Sequence, residues 1–296
     1  MTDNLNPLVS IGIPVRNGGR LLDEALKQIV SQTYKNIEII ISDNNSSDET
    51  AEICAKYQKA DDRIKYFHQT TDLSALENFR FVVEKATADY FMWAAHDDRH
   101  AINHIEILVN KIKQEDGASI VFPDVAIFNC YDNWAETLPI KYDVSCRRKD
   151  GYWKKIINKS YIRSGYLHIY GLIRRQLLLE YNWIDIDIAG DRALLFYLSC
   201  RGDFIKVNGT CFYCYKPEIK KTANERAKIV SYKKLKLFPY TRLSWACAKA
   251  GCYAEKLEGR YRNFLLTFIL FEQNEIRKKL RLGLGKIKAF IIKSYE

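Results

Sequence analysis

Apolar residues near the N-terminus come in short runs, each followed by a stretch with helical spacing. Val9, Ile11 and Ile13 open a buried strand over residues 9–14, closed by a turn through Val15-Arg16-Asn17-Gly18-Gly19. Leu21, Leu22, Ala25, Ile29 and Val30 then recur on one helical face. The run Ile37-Glu38-Ile39-Ile40-Ile41-Ser42-Asp43 predicts a second strand that ends in an acid. Ser46 and Glu49 stand three apart before the next helical stretch, which predicts a capping box and a helix through about Lys59. A strand over 64–68, a helix over 73–86, a strand over 90–95 and a helix over 102–113 follow, and residues 118–129 are extended and apolar. Strand and helix thus alternate four times with short connections, the pattern of a parallel sheet covered on both faces.

The pattern loosens in the middle. Residues 130–153 are loop-rich and carry the basic cluster Arg147-Arg148-Lys149. Residues 168–173 predict a strand running into Arg174-Arg175. Asp185, Asp187 and Asp191 lie on the stretch that leads from Trp183 into a helix over 192–200, and Gly202-Asp203 turns the chain into strands near 204–207 and 210–215. From Glu225 onward the pattern is helical. Ile269, Leu270 and Ile276 beside Arg277, Lys278, Lys279 and Arg281 predict an apolar and a cationic face.

Charge divides the chain at the same place. Of the net +10, residues 216–296 hold 20 Lys and Arg against 7 Asp and Glu, leaving residues 1–215 slightly acidic. The basic part suits a peripheral attachment to an anionic membrane surface, with Tyr240, Trp245, Tyr253, Tyr261 and Phe264 as interfacial aromatics. Nucleic acid is excluded as a partner, since no recognisable binding module accompanies the charge. Residues 1–7 are polar rather than signal-like, and no apolar run approaches the ~18–20 residues needed to span a bilayer. With eight cysteines read as reduced thiols, the expected location is cytoplasmic, at the inner face of the cell membrane. Cys211 and Cys214 have zinc-like spacing, but residues three apart on a strand point to opposite faces.

Candidate chemistry gathers at the strand ends. Asp97 and Asp98 follow the fourth apolar run directly; two adjacent carboxylates there form either a solvated turn or a site compensated by a divalent cation or hydrogen-bond donors. In a parallel sheet the ends of the second and fourth strands share one edge, so Asp43 and Asp97-Asp98 line one crevice, where open α/β sheets bind ligands. His96, His100 and His104 are spaced by four, but His96 belongs to the loop, and the other two border the cleft or pack on the helix.

Several segments resemble family 2 glycosyltransferases with the GT-A fold. Val9 to Asn17 is similar to that family's first strand and Pro-x-x-Asn turn. Ser31-Gln32-Thr33-Tyr34-Lys35-Asn36-Ile37-Glu38-Ile39-Ile40-Ile41 is similar to its connector, and Ser42 to Thr50 to its Asp-rich turn. His96-Asp97-Asp98 falls where the family carries its DxD-type motif. These likenesses cover about residues 8–130, and weaker ones through Tyr170 to Arg175 and Ala189-Gly190-Asp191 extend to about 215.

The resemblance implies an α/β fold: a Rossmann-like, mostly parallel sheet flanked by helices over residues 1–215, with a basic helical extension over 216–296. The nucleotide-sugar half would be about 1–130 and the acceptor half about 131–215. It implies transfer of a sugar from a nucleotide diphosphate donor, with UDP favoured, to an acceptor hydroxyl with inversion, in surface polysaccharide or lipid-linked glycan synthesis. Pro14, Arg16, Asn17, Asn44 and Asn78 would surround the nucleotide, and Asp43 would accept from the imide N–H of its base. Asp97 would face the ribose and Asp98 a Mn²⁺ or Mg²⁺ ion, with Asp97 able to share the metal. Asp191 would be the general base, with Asp185 and Asp187 as fallbacks, and His96, Arg174 and Arg175 would contact acceptor or phosphate.

The pattern also departs from the family. Asn44 stands where an acid is usual, Ala95 stands two before Asp97 where an acid is frequent, and Asp72 and Glu77 occupy a segment that is often basic. These departures keep open a catalytically lapsed nucleotide-sugar-binding or membrane-surface-binding module. A nucleotidyltransferase is disfavoured, because no Gly-rich phosphate loop opens the chain.

Overall fold

Strands β1 (Val9–Val15) and β2 (Ile37–Asp43) are buried at every position, as apolar runs become when helices cover both faces of a sheet. In the computed structural model they are the third and second strands from one edge of the eight-stranded sheet formed by the described residues. The structure describes residues 6–129, 137, 145–146, 149, 165–183 and 190–215. The remaining strands are β3 (Ile64–His68), β4 (Tyr90–Trp93), β5 (Arg99–His100), β6 (Ala118–Phe128), β7 (Leu172–Arg174) and β8 (Asp203–Tyr215), in the spatial order β3-β2-β1-β4-β7-β6-β8-β5. Pairings β1–β2, β1–β4, β2–β3 and β6–β8 are parallel, while β7 runs antiparallel to β4 and β6, and β5 antiparallel to β8. The expected GT-A arrangement, a mostly parallel sheet between helices, is present.

The helices follow the strands in order: α1 (Gly19–Val30), α2 (Thr50–Ala60), α3 (Ala75–Lys85), α4 (His104–Gln114), α5 (Arg175–Leu179) and α6 (Gly190–Arg201). Leu22, Leu26 and Ile29 of α1 and Ile105, Leu108, Val109 and Ile112 of α4 join the strands in the main core cluster. Burial of each such side chain contributes roughly 1.5–3 kcal/mol. The opposite face is closer still: a Cβ on Gly12 would lie 2.5 Å from the Phe91 ring and 2.7 Å from Val82.

Contacts divide the chain into two compact units, Met1–Asp185 with Leu194–Ile219, and Ile186–Ala193 with Lys220–Glu296. The sheet belongs to the first. Among the described residues no helix is long and apolar enough to cross a membrane. The expected helical tail and the Arg147-Arg148 pair lie outside the described residues.

Three local expectations are corrected. The capping box is at Ser74 and Glu77, at the start of α3, with both reciprocal hydrogen bonds formed; Glu49 is the N-cap of α2 and makes no side-chain cap. Residues Gly165–Tyr170 form a 3₁₀ helix, and only Leu172–Arg174 are strand. The two strands expected after Gly202 are one, β8, which keeps pairing with β6 through a register shift between Phe122 and Asp124.

Candidate functional site

The register fixes what meets at the carboxyl edge of the sheet. Val15 pairs with Asp43 and Asp43 with His68, while Gly12 pairs with Trp93 just before the Asp97-Asp98 turn. Strand β1 runs one residue further than the sequence predicts, so Pro14 is buried within it beside Ser42.

Three loops leaving this edge are tied to one another. The Asn17 N–H donates to Ser46 Oγ (2.8 Å), and Ser47 N donates back to Asn17 Oδ1 (3.0 Å). The N–H groups of Gly18 and Gly19 both donate to Thr50 Oγ1. Asn45 Nδ2 donates to Asp72 Oδ1 (2.9 Å), and Asp72 Oδ2 takes Arg16 Nη2 at 2.6 Å. Asn17 and Asn45 achieve this at φ 51° and 53°, a region that asparagine tolerates better than most residues. Gly19, at φ 43°, would place a Cβ 3.0 Å from Glu49 Oε1. Arg16 and Asn17 therefore stand exposed at the crevice mouth, paired rather than free. His96 is half-buried beside them, 3.4 Å from where a Gly18 Cβ would sit.

Asp43 is the last residue of β2 at this edge and is fully buried. Its Oδ1 accepts from Ser46 N (3.0 Å), and its Oδ2 accepts from Tyr66 Oη (2.9 Å) and contacts His68 Nδ1 (3.2 Å). Burial pushes its proton affinity up, but hydrogen bonds from Ser46, Tyr66 and His68 outweigh it and hold the carboxyl below its ordinary range. In this structure Asp43 therefore holds the β2 turn through Ser46 and the end of β3 through Tyr66 and His68.

Asn44 and Asn78 also act as clamps. Asn44 Oδ1 accepts from Leu73 N at 2.7 Å while its Nδ2 donates to Leu73 O at 2.9 Å. Buried Asn78 accepts from Ser42 Oγ (2.6 Å) and donates to Ser42 O. In this structure both fix the backbone around the β2 end, where a neutral amide can donate and accept at once.

The Asp97-Asp98 pair occupies the turn between β4 and β5. Asp97 is half-buried, whereas Asp98 is 3% exposed and its Oδ1 accepts from Tyr215 N (2.8 Å) at the end of β8. Burial, and then the Asp97 charge, push the Asp98 carboxyl up to about 7. The Tyr215 and Cys214 hydrogen bonds and the Arg99 charge pull the other way without offsetting burial and Asp97, and a divalent cation would add further positive charge. Among the described residues no group of three or more His, Cys, Asp or Glu gathers. Mg²⁺, however, is commonly held by one or two carboxylates plus substrate phosphates, and this pair fits that mode. Of the two, Asp97 is the more open carboxylate, and Asp98 is held by Tyr215 N.

Arg174 and Arg175 lie at the opposite edge. Arg174 pairs with Tyr90, the first residue of β4, and donates to Ala118 O and Glu115 O. Arg175 donates to Val83 O and, through its N–H, to Asp89 O. Their carbonyl partners lie at the C-terminal ends of α3 and α4 and just before or at the start of β4 and β6, so this structure places both arginines away from the carboxyl edge that holds Asp43 and Asp97-Asp98. His100 and His104 pack on each other with ring centroids 4.9 Å apart; both are buried, and burial pushes His100 down to about 4.

Asp191 sits in the first turn of α6 rather than capping it, with Oδ1 accepting from Arg192 N at 2.9 Å. Burial raises its proton affinity. Asp185 and Asp187 lie outside the described residues. The residues that sequence reasoning passed over are Tyr66 and His68. The available signal was their alternation on β3, which puts both on one face at the end of a strand beside Asp43.

A family model, glycosyl transferase family 2, matches residues 10–181, more than half of the chain. The chain belongs to that family. It is 32% identical over 128 residues to glycosyltransferase GlyG of Streptococcus pneumoniae serotype 4, covering 43% of this chain and 40% of that protein. It is 28% identical over 190 residues to the GalNAc(5)-diNAcBac-PP-undecaprenol beta-1,3-glucosyltransferase of Campylobacter jejuni, covering 64% of this chain and 58% of that one. The match therefore spans less than two thirds of either relative. Staphylococcus aureus TarS 1–349 in complex with UDP-GlcNAc shares the fold at a TM-score of 0.65 with 14% identity, over 90% of this chain and 74% of that one.

Proposed function

We propose that this protein transfers a sugar from a UDP-sugar to an acceptor hydroxyl with inversion, in the synthesis of a surface polysaccharide or lipid-linked glycan. The observation that carries the reading is the shared sheet edge. Three bonded loops, the buried Asp43 and the Asp97-Asp98 pair stand together where open α/β sheets take nucleotides, in a chain of glycosyl transferase family 2. A lipid-linked acceptor is supported by the name of the Campylobacter relative.

In this reading the Arg16-to-Asp72 rim and the clamps of Asn17, Asn44 and Asn78 shape the nucleotide crevice. Asp97 and Asp98 hold Mn²⁺ or Mg²⁺, which when bound neutralises the charge that grows on the leaving nucleoside diphosphate. Asp191 takes the acceptor proton; a carboxylate whose proton affinity is raised by burial is a better base at neutral pH than an exposed one. His96 borders the acceptor. The basic segment 216–296 attaches the enzyme to an anionic membrane face at the cytoplasmic side.

The test is a donor screen that follows nucleoside diphosphate release with Mn²⁺ present, for wild type, Asp97→Ala and Asp191→Ala. Turnover should require the metal, and each substitution should lower transfer by about 10²-fold or more. Turnover indifferent to chelator and to Asp97→Ala would remove the metal role; full transfer by Asp191→Ala would remove the base.

A further inference from the structure

We infer that Asp97 and Asp98 divide the work of the donor-metal site: Asp97 bonds the ion directly, and Asp98 is a positioning residue that locks the turn through the end of β8. This rests on the reading of the pair as a metal site. After β4, Ala94 N still donates to Gly12 O (2.9 Å), and the chain then turns into β5, where Arg99 pairs with Tyr213 and His100 with Phe212. Two residues further along that register, Asp97 would stand opposite Tyr215. The Tyr215 N–H donates instead to Asp98 Oδ1 at 2.8 Å. The β5–β8 ladder thus closes on a side chain, one residue before the acid that stays open.

Asp98 is gripped at both its side chain and its main chain. Tyr215 N holds Oδ1, and the Cys214 thiol is a second donor to the same carboxyl group. The Asp98 carbonyl accepts from Arg99 Nη1 at 2.8 Å, and Arg99 is itself only 2% exposed. The planar guanidinium fork keeps little rotational freedom in such a setting. Side chain and following peptide are therefore fixed together, and the orientation of residue 97 is set by the neighbour it is bonded to.

Exposure decides which acid can reach an ion. A hard divalent cation in a phosphate site keeps several waters and takes substrate oxygens as further ligands, so its protein carboxylate needs access to the open crevice. The half-buried Asp97 has that access, whereas Asp98 is 3% exposed and spends its oxygens on protein donors. Groups that act on a metal through the residue they orient still matter to it, and losing one costs about 10–100-fold in metal affinity.

The experiment titrates Mn²⁺ into the full-length protein with saturating UDP, reading free Mn²⁺ by electron paramagnetic resonance, for wild type, Asp97→Asn, Asp98→Asn and Asp98→Ala. Asparagine keeps an acceptor for Tyr215 N, and alanine does not. Asp98→Ala should weaken Mn²⁺ by about 10–100-fold, and Asp98→Asn should recover at least about tenfold of that loss. Asp97→Asn should bind more weakly than Asp98→Asn. Equal affinities for the two Asp98 variants would overturn the inference, as would Asp98→Asn as weak as Asp97→Asn, because a direct ligand loses its charge in either substitution. A purely structural role would lower the thermal midpoint of Asp98→Ala in EDTA while its folded protein kept wild-type Mn²⁺ affinity, and that result would overturn it too. Should Asp98→Ala fail to fold, Tyr215→Pro removes the N–H at the strand end and leaves both acids in place. It should weaken Mn²⁺ at least about tenfold, and unchanged or tighter binding would count against the inference. A wild type that takes up no Mn²⁺ with UDP would instead sink the metal-site reading, and the inference with it.

Discussion

Asp43 and Asp98 are both buried carboxylates at strand ends, yet their proton affinities move in opposite directions. Three hydrogen bonds hold Asp43 down, whereas burial and the neighbouring Asp97 charge leave Asp98 at about 7 against a single backbone donor, Tyr215 N, and weaker helpers. An acid whose folded-state value lies above its ordinary 3.8 contributes fully at low pH. The metal-free protein therefore loses stability as pH rises from about 4 through 7. Asp98→Asn keeps an acceptor for Tyr215 N and removes the charge. In EDTA it should raise stability at pH 8 by about 2–4 kcal/mol and leave it nearly unchanged at pH 4. Urea unfolding at the two pH values checks this, and an equal effect at both would contradict it. Glu38 carries the opposite sign. Burial raises it, but hydrogen bonds from Lys65, Ser10 and Thr87 outweigh burial and hold it at about 2. Its contribution is present above its ordinary 4.5 and fades as pH falls toward 2. Glu38→Gln should cost about 2–3 kcal/mol at pH 7. The loss should shrink steadily below pH 4.5 in the same unfolding series.

At the scale of elements, what the sequence shows depends on how far apart the partners lie. The alternation of β1 to α4 is legible because fully buried apolar runs and one-sided helices carry their own periodicity. The capping box was misplaced for a physical reason. Ser46-to-Glu49 and Ser74-to-Glu77 have the same spacing, but α2 starts at Thr50 with Glu49 as its N-cap, so Ser46 stands three residues short of the cap position and its Oγ accepts from Asn17 N across the loop. Ser74→Ala should therefore cost about 1 kcal/mol through α3, and Ser46→Ala should act instead on the loop and on nucleotide binding. Denaturation midpoints and UDP affinity for the two variants separate these outcomes. The direction of β7 is not written in its local pattern; its antiparallel pairing with β4 sets Arg174 beside Tyr90, at the amino end of that strand. Asp98 meets Tyr215 across 117 residues, and no local pattern announces such a contact.

At the scale of the molecule, charge and fold separate cleanly. The described sheet forms the family 2 scaffold, and the basic excess lies in residues 216–296. Flotation with liposomes containing anionic lipid should carry the full chain and release it at high salt, since exposed cationic attraction is screened. Flotation that is equally strong on neutral lipid would argue against charge as the cause. That the ends of β2 and β4 emerge at one edge was legible, because strand ends in a parallel sheet share an edge. The lining was not, because Tyr66 and His68 gain meaning only from the register of β3 against β2.

The central claim is that this edge binds a nucleoside diphosphate through a metal held by Asp97 and Asp98. Calorimetric titration of UDP into the intact protein, with Mn²⁺ and then with EDTA, tests it most directly. Saturable binding with Mn²⁺, weakened at least about tenfold by EDTA and by Asp97→Asn, is the predicted result. Failure of UDP to bind under either condition, or binding that neither EDTA nor Asp97→Asn changes, would contradict it.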